Sequence, residues 1–173
     1  MNPRDMELRY YGDPVLRKKA RDVTVFDDLL KKQAEKMFEI MYEFEGIGLA
    51  GNQVGLLHRL IVLDVPVDDE RRAVLALVNP VVKERKGEDI SEEGCLSIPD
   101  IRADVTRPDQ LVVEALNLVG EKLSFQVDGL LARAIQHEID HLDGVLFIDR
   151  ISPVRRKLLA GKLKQLAQEH AAG

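Results

Sequence analysis

The chain has 173 residues, 45% of them hydrophobic and 32% charged, with a formal net charge of −5 at pH 7. That length fits one domain, residues 1–173, with room for a sizeable core, and the composition excludes a disordered chain. Largely apolar runs such as "LIVLDV" and "AVLALV" fall far short of the roughly 20 residues that cross a bilayer, so no membrane partner is expected.

The opening "MNPRDMELRYYGD" carries charges but no apolar core. It reads as no signal peptide, and a cytoplasmic location is expected. "TVFDDLLKKQAEKMFEIMYEFEG" follows a helical period through Leu29, Leu30, Ala34, Met37, Phe38, Met41 and Phe44. Thr24 or Asp27 would cap its start, and Gly46 lies just past its end. "GIGLAGNQVG" (46–55) is glycine-rich, but a helix precedes it and no P-loop lysine follows, so it is not a nucleotide loop. It reads as a flexible loop that lets backbone groups approach a peptide, ending in Gln53. "HRLIVLDV" and "RAVLALVNP" are strands joined by "PVDDERR", and "VVKERKGE" continues as a strand past Pro80. "IRADVTRPDQLVVEALNLVGEKLSFQVDG" reads as further strands, with a hairpin about "LVGEKL". "GLLARAIQHEIDHLDG" is helical again, with Gly144 at a C-cap. "SPVRRKLLAGKLKQLAQEH" closes the chain as a basic helix over 153–170. Ser152 caps it, Pro153 starts it, and Leu158, Leu159, Leu163 and Leu166 form its stripe. Strands cluster between helices rather than alternating with them, so the class is α+β.

Two of the four histidines, His137 and His141, stand four apart on the predicted helix, with Glu138 directly after the first. Positions i and i+4 differ by about 40° around a helix and lie about 6 Å apart along it, so both imidazoles can aim at one ion. Glu138, about 100° away, can reach a water bound there, which is the logic of H-E-x-x-H. A third ligand is needed. Cys95 in "SEEGCLSIPD" is the only cysteine, so no internal disulfide forms. A lone cysteine is most often a small buried hydrophobe, yet as a thiolate Cys95 would complete a His₂Cys set with one open position, the pattern of a catalytic site. Gly94 would let the backbone turn sharply before it. Asp143 and Asp149 lie too near the helix end to fold back, and Glu169 lies on another helix. Cys95 is the stronger candidate. Gln53 could donate its side-chain amide to a developing oxyanion.

"GIGLAGNQ", "EGCLS" and "QHEIDH", in that order, resemble the three motifs of peptide deformylases, GxGxAAxQ, EGCLS and QHExDH. The "GDPVLRKKA" opening and the C-terminal helix extend the resemblance along the chain. Gly51 departs from the pattern, standing where the family usually has alanine; it is expected to loosen the loop. The resemblance implies antiparallel or mixed β-sheets packed around a central helix that bears HExDH. It implies the metal ligands Cys95, His137 and His141, with Fe²⁺ as the usual ion and Zn²⁺, Ni²⁺ or Co²⁺ able to replace it. It implies Glu138 as general base and the Gln53 amide and Leu96 backbone N–H as oxyanion donors. The substrate it implies is the N-terminal formyl-methionine of a newly made polypeptide, released as formate and a free amine.

By the same resemblance Ile47, Leu130 and Ala134 are candidates for the methionine slot, and a peptide backbone would pair with Ile47 and Gly48 as an added strand. Arg133 is as readily a surface arginine as a pocket contact. Glu93 and Arg102 flank Cys95 and are read as an ion pair fixing its loop, while Asp140 is expected to face a basic group. From Arg150 onward six Lys/Arg oppose one acid, a net +5, leaving 19 basic and 29 acidic residues, or −10, in the body. An anionic partner such as ribosomal RNA would suit that tail, as would a plain solvated helix face; DNA is not expected. An HExxH metalloendopeptidase is the alternative reading.

Overall fold

The computed structural model describes residues 1–171; Ala172 and Gly173, the end of the expected 1–173 unit, lie outside the described residues. The first long helix, α1 (Asp28–Glu43), starts where the Asp27 carboxylate accepts the Leu30 N–H at 3.0 Å, so Asp27 rather than Thr24 is the cap. Its buried face is Leu30, Ala34, Met37, Ile40 and Met41, joined by Gln33, whereas Leu29 and Phe44 face solvent. The chain then reverses through Glu45 in the left-handed region, φ 58°.

Seven strands follow: β1 (Gly48–Ala50), β2 (Leu60–Pro66), β3 (Arg72–Lys86), β4 (Asp89–Cys95), β5 (Ile98–Arg107), β6 (Gln110–Leu116) and β7 (Lys122–Asp128). Five form one antiparallel sheet in the order β1-β2-β3-β6-β7, with β1 and β7 at its edges. Among the described residues, strands β4 and β5 pair only with each other. The "RAVLALVNP" and "VVKERK" segments are one strand, β3, whose register slips at Asn79 and Pro80. Asn79 has φ 50° and exchanges two hydrogen bonds with the Val23 backbone, at 2.8 and 3.0 Å.

Two stretches read as loops are ordered structure. "GIGLAGNQV" is β1 followed by a short 3-10 helix, Gly51–Val54, that is buried throughout. Gly51 does not loosen it: a Cβ there would come within 2.5 Å of the Leu56 carbonyl oxygen and 2.7 Å of that of His58. "SEEGC" ends β4. Gly94 does not turn the chain; it leaves room for Arg102, whose Nη1 would lie 2.7 Å from an added Cβ.

Helix α2 (Gly129–Leu142) is the central element, buried from Leu131 to Leu142 except at Ile139. A helix enclosed on nearly every side needs neighbours all round. It packs on β1, β2 and β7, with β4 and β5 across its other face. Gly144, φ 73°, ends it as expected. Helix α3 (Pro153–His170) begins at Ser152, whose hydroxyl accepts the Arg155 N–H at 3.2 Å. Leu159, Leu163 and Leu166 join Ile98, Ile101, Val105 and Phe147 in a core cluster, each leucine contributing about 2 kcal/mol by burial. Leu158, expected in that stripe, is instead 71% exposed, about 100° round the helix from Leu159.

Candidate metal centre

Helix α2 supplies two donors and the end of β4 the third. His137 Nε2 and His141 Nε2 lie 3.3 Å apart, Cys95 Sγ lies 3.3 Å from His141 Nε2, and all three donor atoms fall within 4.8 Å of one another. Tetrahedral bonds of about 2.05 Å to nitrogen and 2.3 Å to sulfur require donor separations of about 3.3 and 3.6 Å. The three side chains therefore fit one divalent ion.

Glu138 is buried beside them, and its Oε2 has no hydrogen-bond partner among the described residues. Burial pushes its pKa up to about 7, the neighbouring His137 charge opposing the rise. The carboxylate rests against Gly48, where an added Cβ would lie 3.0 Å from Oε1. His141 Nδ1 also lacks a partner among the described residues. Burial, then the His137 charge, hold His141 well below its ordinary value and so neutral. Burial opposes a charge on His137 too, but hydrogen bonds to Cys95 and Glu93 outweigh it and raise its pKa.

Gln53 is buried and its amide is oriented from both ends. Oε1 accepts the Ala50 N–H at 3.0 Å, so Nε2 must face the site, 3.1 Å from Ser97 Oγ and 3.5 Å from Cys95 Sγ. Leu96 follows Cys95 at the tip of the β4–β5 hairpin, its side chain filling the space left bare by Gly46. Ile47 is 37% exposed beside the sheet edge, and its carbonyl accepts the Asp64 N–H at 2.9 Å. Leu130 is 46% exposed and Ala134 is buried, so the three proposed slot residues differ in how far they face solvent.

Glu93 does not pair with Arg102, which binds Glu92 at 2.7 Å on the exposed face of the hairpin. Its buried partners are Arg107, at 2.6 and 2.9 Å, Arg133, at 2.6 Å, and His137 Nδ1, at 2.9 Å. Burial works against its charge, but the hydrogen bonds from His137 and Arg107 hold the carboxyl far below the usual carboxylate range. Arg133 is thus no surface arginine: it is buried, donating to Glu93, to the Val105 carbonyl and to Asp89. Asp140 faces basic groups as expected, with Arg107 at 2.9 Å and Arg150 at 2.6 and 2.8 Å. Arg107 and Ser97 were not singled out from the sequence. Arg107 falls in phase with the inward Ile101, Ala103 and Val105, and that alternation was the available signal.

A family model described as "Polypeptide deformylase" matches residues 6–157. A peptide deformylase of Thermodesulfovibrio yellowstonii is 44% identical over 159 residues, covering 92% of this chain and 96% of its own. The crystal structure of peptide deformylase from Thermotoga maritima superposes with a TM-score of 0.80 at 45% identity, covering 86% of this chain and 98% of that one. A peptide deformylase structure from Legionella pneumophila gives a TM-score of 0.85 at 38% identity, covering 97% and 98%.

Proposed function

This chain belongs to the polypeptide deformylase family, and on that premise we propose how its residues divide the work. The activity is that of a metallohydrolase. It removes the N-formyl group from the N-terminal formyl-methionine of newly synthesised polypeptides and releases formate. An HExxH endopeptidase is not favoured, since the match extends over nearly the whole chain.

Cys95, His137 and His141 hold the ion, and the observation that carries this is the match of their donor separations to one tetrahedral centre. We assign Fe²⁺, with Zn²⁺, Ni²⁺ or Co²⁺ able to substitute. When bound, such an ion acidifies a coordinated water and polarises a carbonyl oxygen. Glu138, through its unpartnered Oε2, takes the proton of the attacking water and returns it to the departing amine. Gln53 Nε2 and the Leu96 N–H donate to the oxyanion. Ile47 and Gly48, at the start of the edge strand β1, pair with the substrate backbone, and Leu130 and Ala134 flank the methionine side chain.

The whole chain acts as a single catalytic domain in the cytoplasm. Its basic helix meets ribosomal RNA through Lys157, Lys162 and Lys164, which are exposed and form no ion pair among the described residues. Changing all three to glutamate is expected to abolish co-sedimentation with ribosomes at low salt; unchanged co-sedimentation would remove that contact. The central test uses protein loaded with Ni²⁺ or, anaerobically, Fe²⁺. Formate should appear from a formyl-Met peptide and no product from its acetyl-Met counterpart, and cleavage of internal bonds would overturn the assignment.

A further inference from the structure

The two elements that carry the metal donors belong to different layers. Cys95 sits in the two-stranded sheet, and the histidines sit on α2. Among the described residues, side chains rather than a backbone ladder set the distance between them.

Those side chains form a regular ladder. On α2, Arg133, His137 and His141 recur every fourth residue and so share one face. On β4 they meet Asp89, Glu93 and Cys95 in the same order. Arg133 Nη2 donates to the Asp89 carbonyl at 2.8 Å and to its carboxylate at 3.2 Å, while Nη1 donates to Glu93 Oε2 at 2.6 Å. Nη1 also reaches across to the Val105 carbonyl on β5, at 2.9 Å. Glu93 Oε1 then takes His137 Nδ1 at 2.9 Å, and Cys95 Sγ stands 3.3 Å from His141 Nε2.

We propose that Arg133 and Glu93 are positioning residues that fix the register of α2 against β4 and thereby the separation of the sulfur and imidazole donors. The inference rests on the metal-binding reading above. Buried ion pairs contribute little net stability compared with apolar packing, and their best-attested use is to specify register. This pair is nearly inaccessible, and the four hydrogen bonds to Glu93 leave it no freedom to shift. Glu93 has a second effect. By accepting from Nδ1 it fixes the His137 tautomer that leaves Nε2 as the free donor. Arg133 acts on neither the ion nor the substrate; it acts through Glu93 and the strand.

The test uses metal-free full-length protein titrated with Co²⁺, whose thiolate charge-transfer absorption reports the Cys95 sulfur directly. The parent protein is expected to show that band; its absence would overturn the metal centre itself, and this inference with it. Arg133→Met and Glu93→Gln are each expected to bind Co²⁺ about 10- to 100-fold more weakly, with the band reduced or shifted. If Arg133→Met does not fold, Arg133→Lys replaces it, because a single ammonium cannot span Glu93, Val105 and Asp89 together. An unchanged band and affinity in the folded variants, whatever their melting temperatures, would reduce the pair to a brace for the fold and overturn the proposal.

Discussion

Glu138 leans on the bare α-carbon of Gly48, so close that a single methyl group there would stand 3.0 Å from its Oε1. The carboxylate is thus held by a residue on the sheet edge as well as by its own helix. Gly48→Ala is expected to displace it while leaving Cys95 and both histidines in place. The shift needed is a few tenths of an ångström, short of the displacements near 1 Å that cost about 10²-fold in rate, so formate release should fall by less than that with metal content unchanged. A variant that loses metal in parallel with activity would show that Gly48 supports the donors instead.

Glu138 and Gln53 should separate metal binding from turnover. Glu138→Gln keeps the volume but removes the proton acceptor, which typically costs about 10²–10⁴ in rate. Gln53→Ala removes the oriented amide, a loss of about 10²–10³. Both are expected to retain a full equivalent of metal by elemental analysis. An active Gln53→Ala enzyme would take Gln53 out of the reaction.

Glu138 and Glu93 should give the metal-free protein opposite pH dependences. Burial raises Glu138 from 4.5 to about 7, so the fold holds its proton more tightly than the unfolded chain does. Its contribution is complete below pH 4.5 and is lost as the pH climbs toward 7, by up to about 1.4 kcal/mol per pH unit. Glu93 is shifted downward, against its burial, by the hydrogen bonds from His137 and Arg107. Its contribution is present above pH 4.5 and is lost as the pH falls. Denaturant midpoints measured against pH should show Glu138→Gln flattening the limb between pH 4.5 and 7 and Glu93→Gln flattening the acid limb. If Glu138→Gln keeps the parent slope, the buried carboxyl is not its source.

Gly51→Ala brings the chain closer to the family pattern, yet it is expected to weaken this fold. Trading glycine for alanine typically stabilises by about 0.4–1 kcal/mol through the unfolded state. Here the new Cβ meets two backbone carbonyls, at 2.5 and 2.7 Å, and backbone yields less readily than a side chain. Overpacking of this kind costs about 1–3 kcal/mol, so the steric effect should win. Thermal melting would decide it, and a higher melting temperature would mean that the Leu56–His58 turn gives way.

What the sequence disclosed was largely local. The spacing of His137, Glu138 and His141 is a property of one helix, and the caps at Asp27 and Ser152 belong to single turns. Glu93 shows the limit. Arg102 is nine positions away and looked like its partner, but strand alternation turns Arg102 outward to Glu92. The actual partners are 14, 40 and 44 residues along, and nothing local says which of 25 Lys/Arg and four histidines will arrive. Strand β4 was hidden for a related reason. "DISEEGC" is polar and mostly exposed, so it lacks the apolar alternation by which strands are recognised.

The leucine-bearing side of α3 closes over the hairpin that ends in Cys95, the candidate sulfur donor, which packs against the same cluster. Trimming the C-terminus would therefore unroof Ile98, Ile101 and Val105 and slacken Cys95. A truncated enzyme that had gone silent would say nothing about whether the tail visits the translation machinery, and only swaps confined to its solvent-facing lysines can ask that question cleanly.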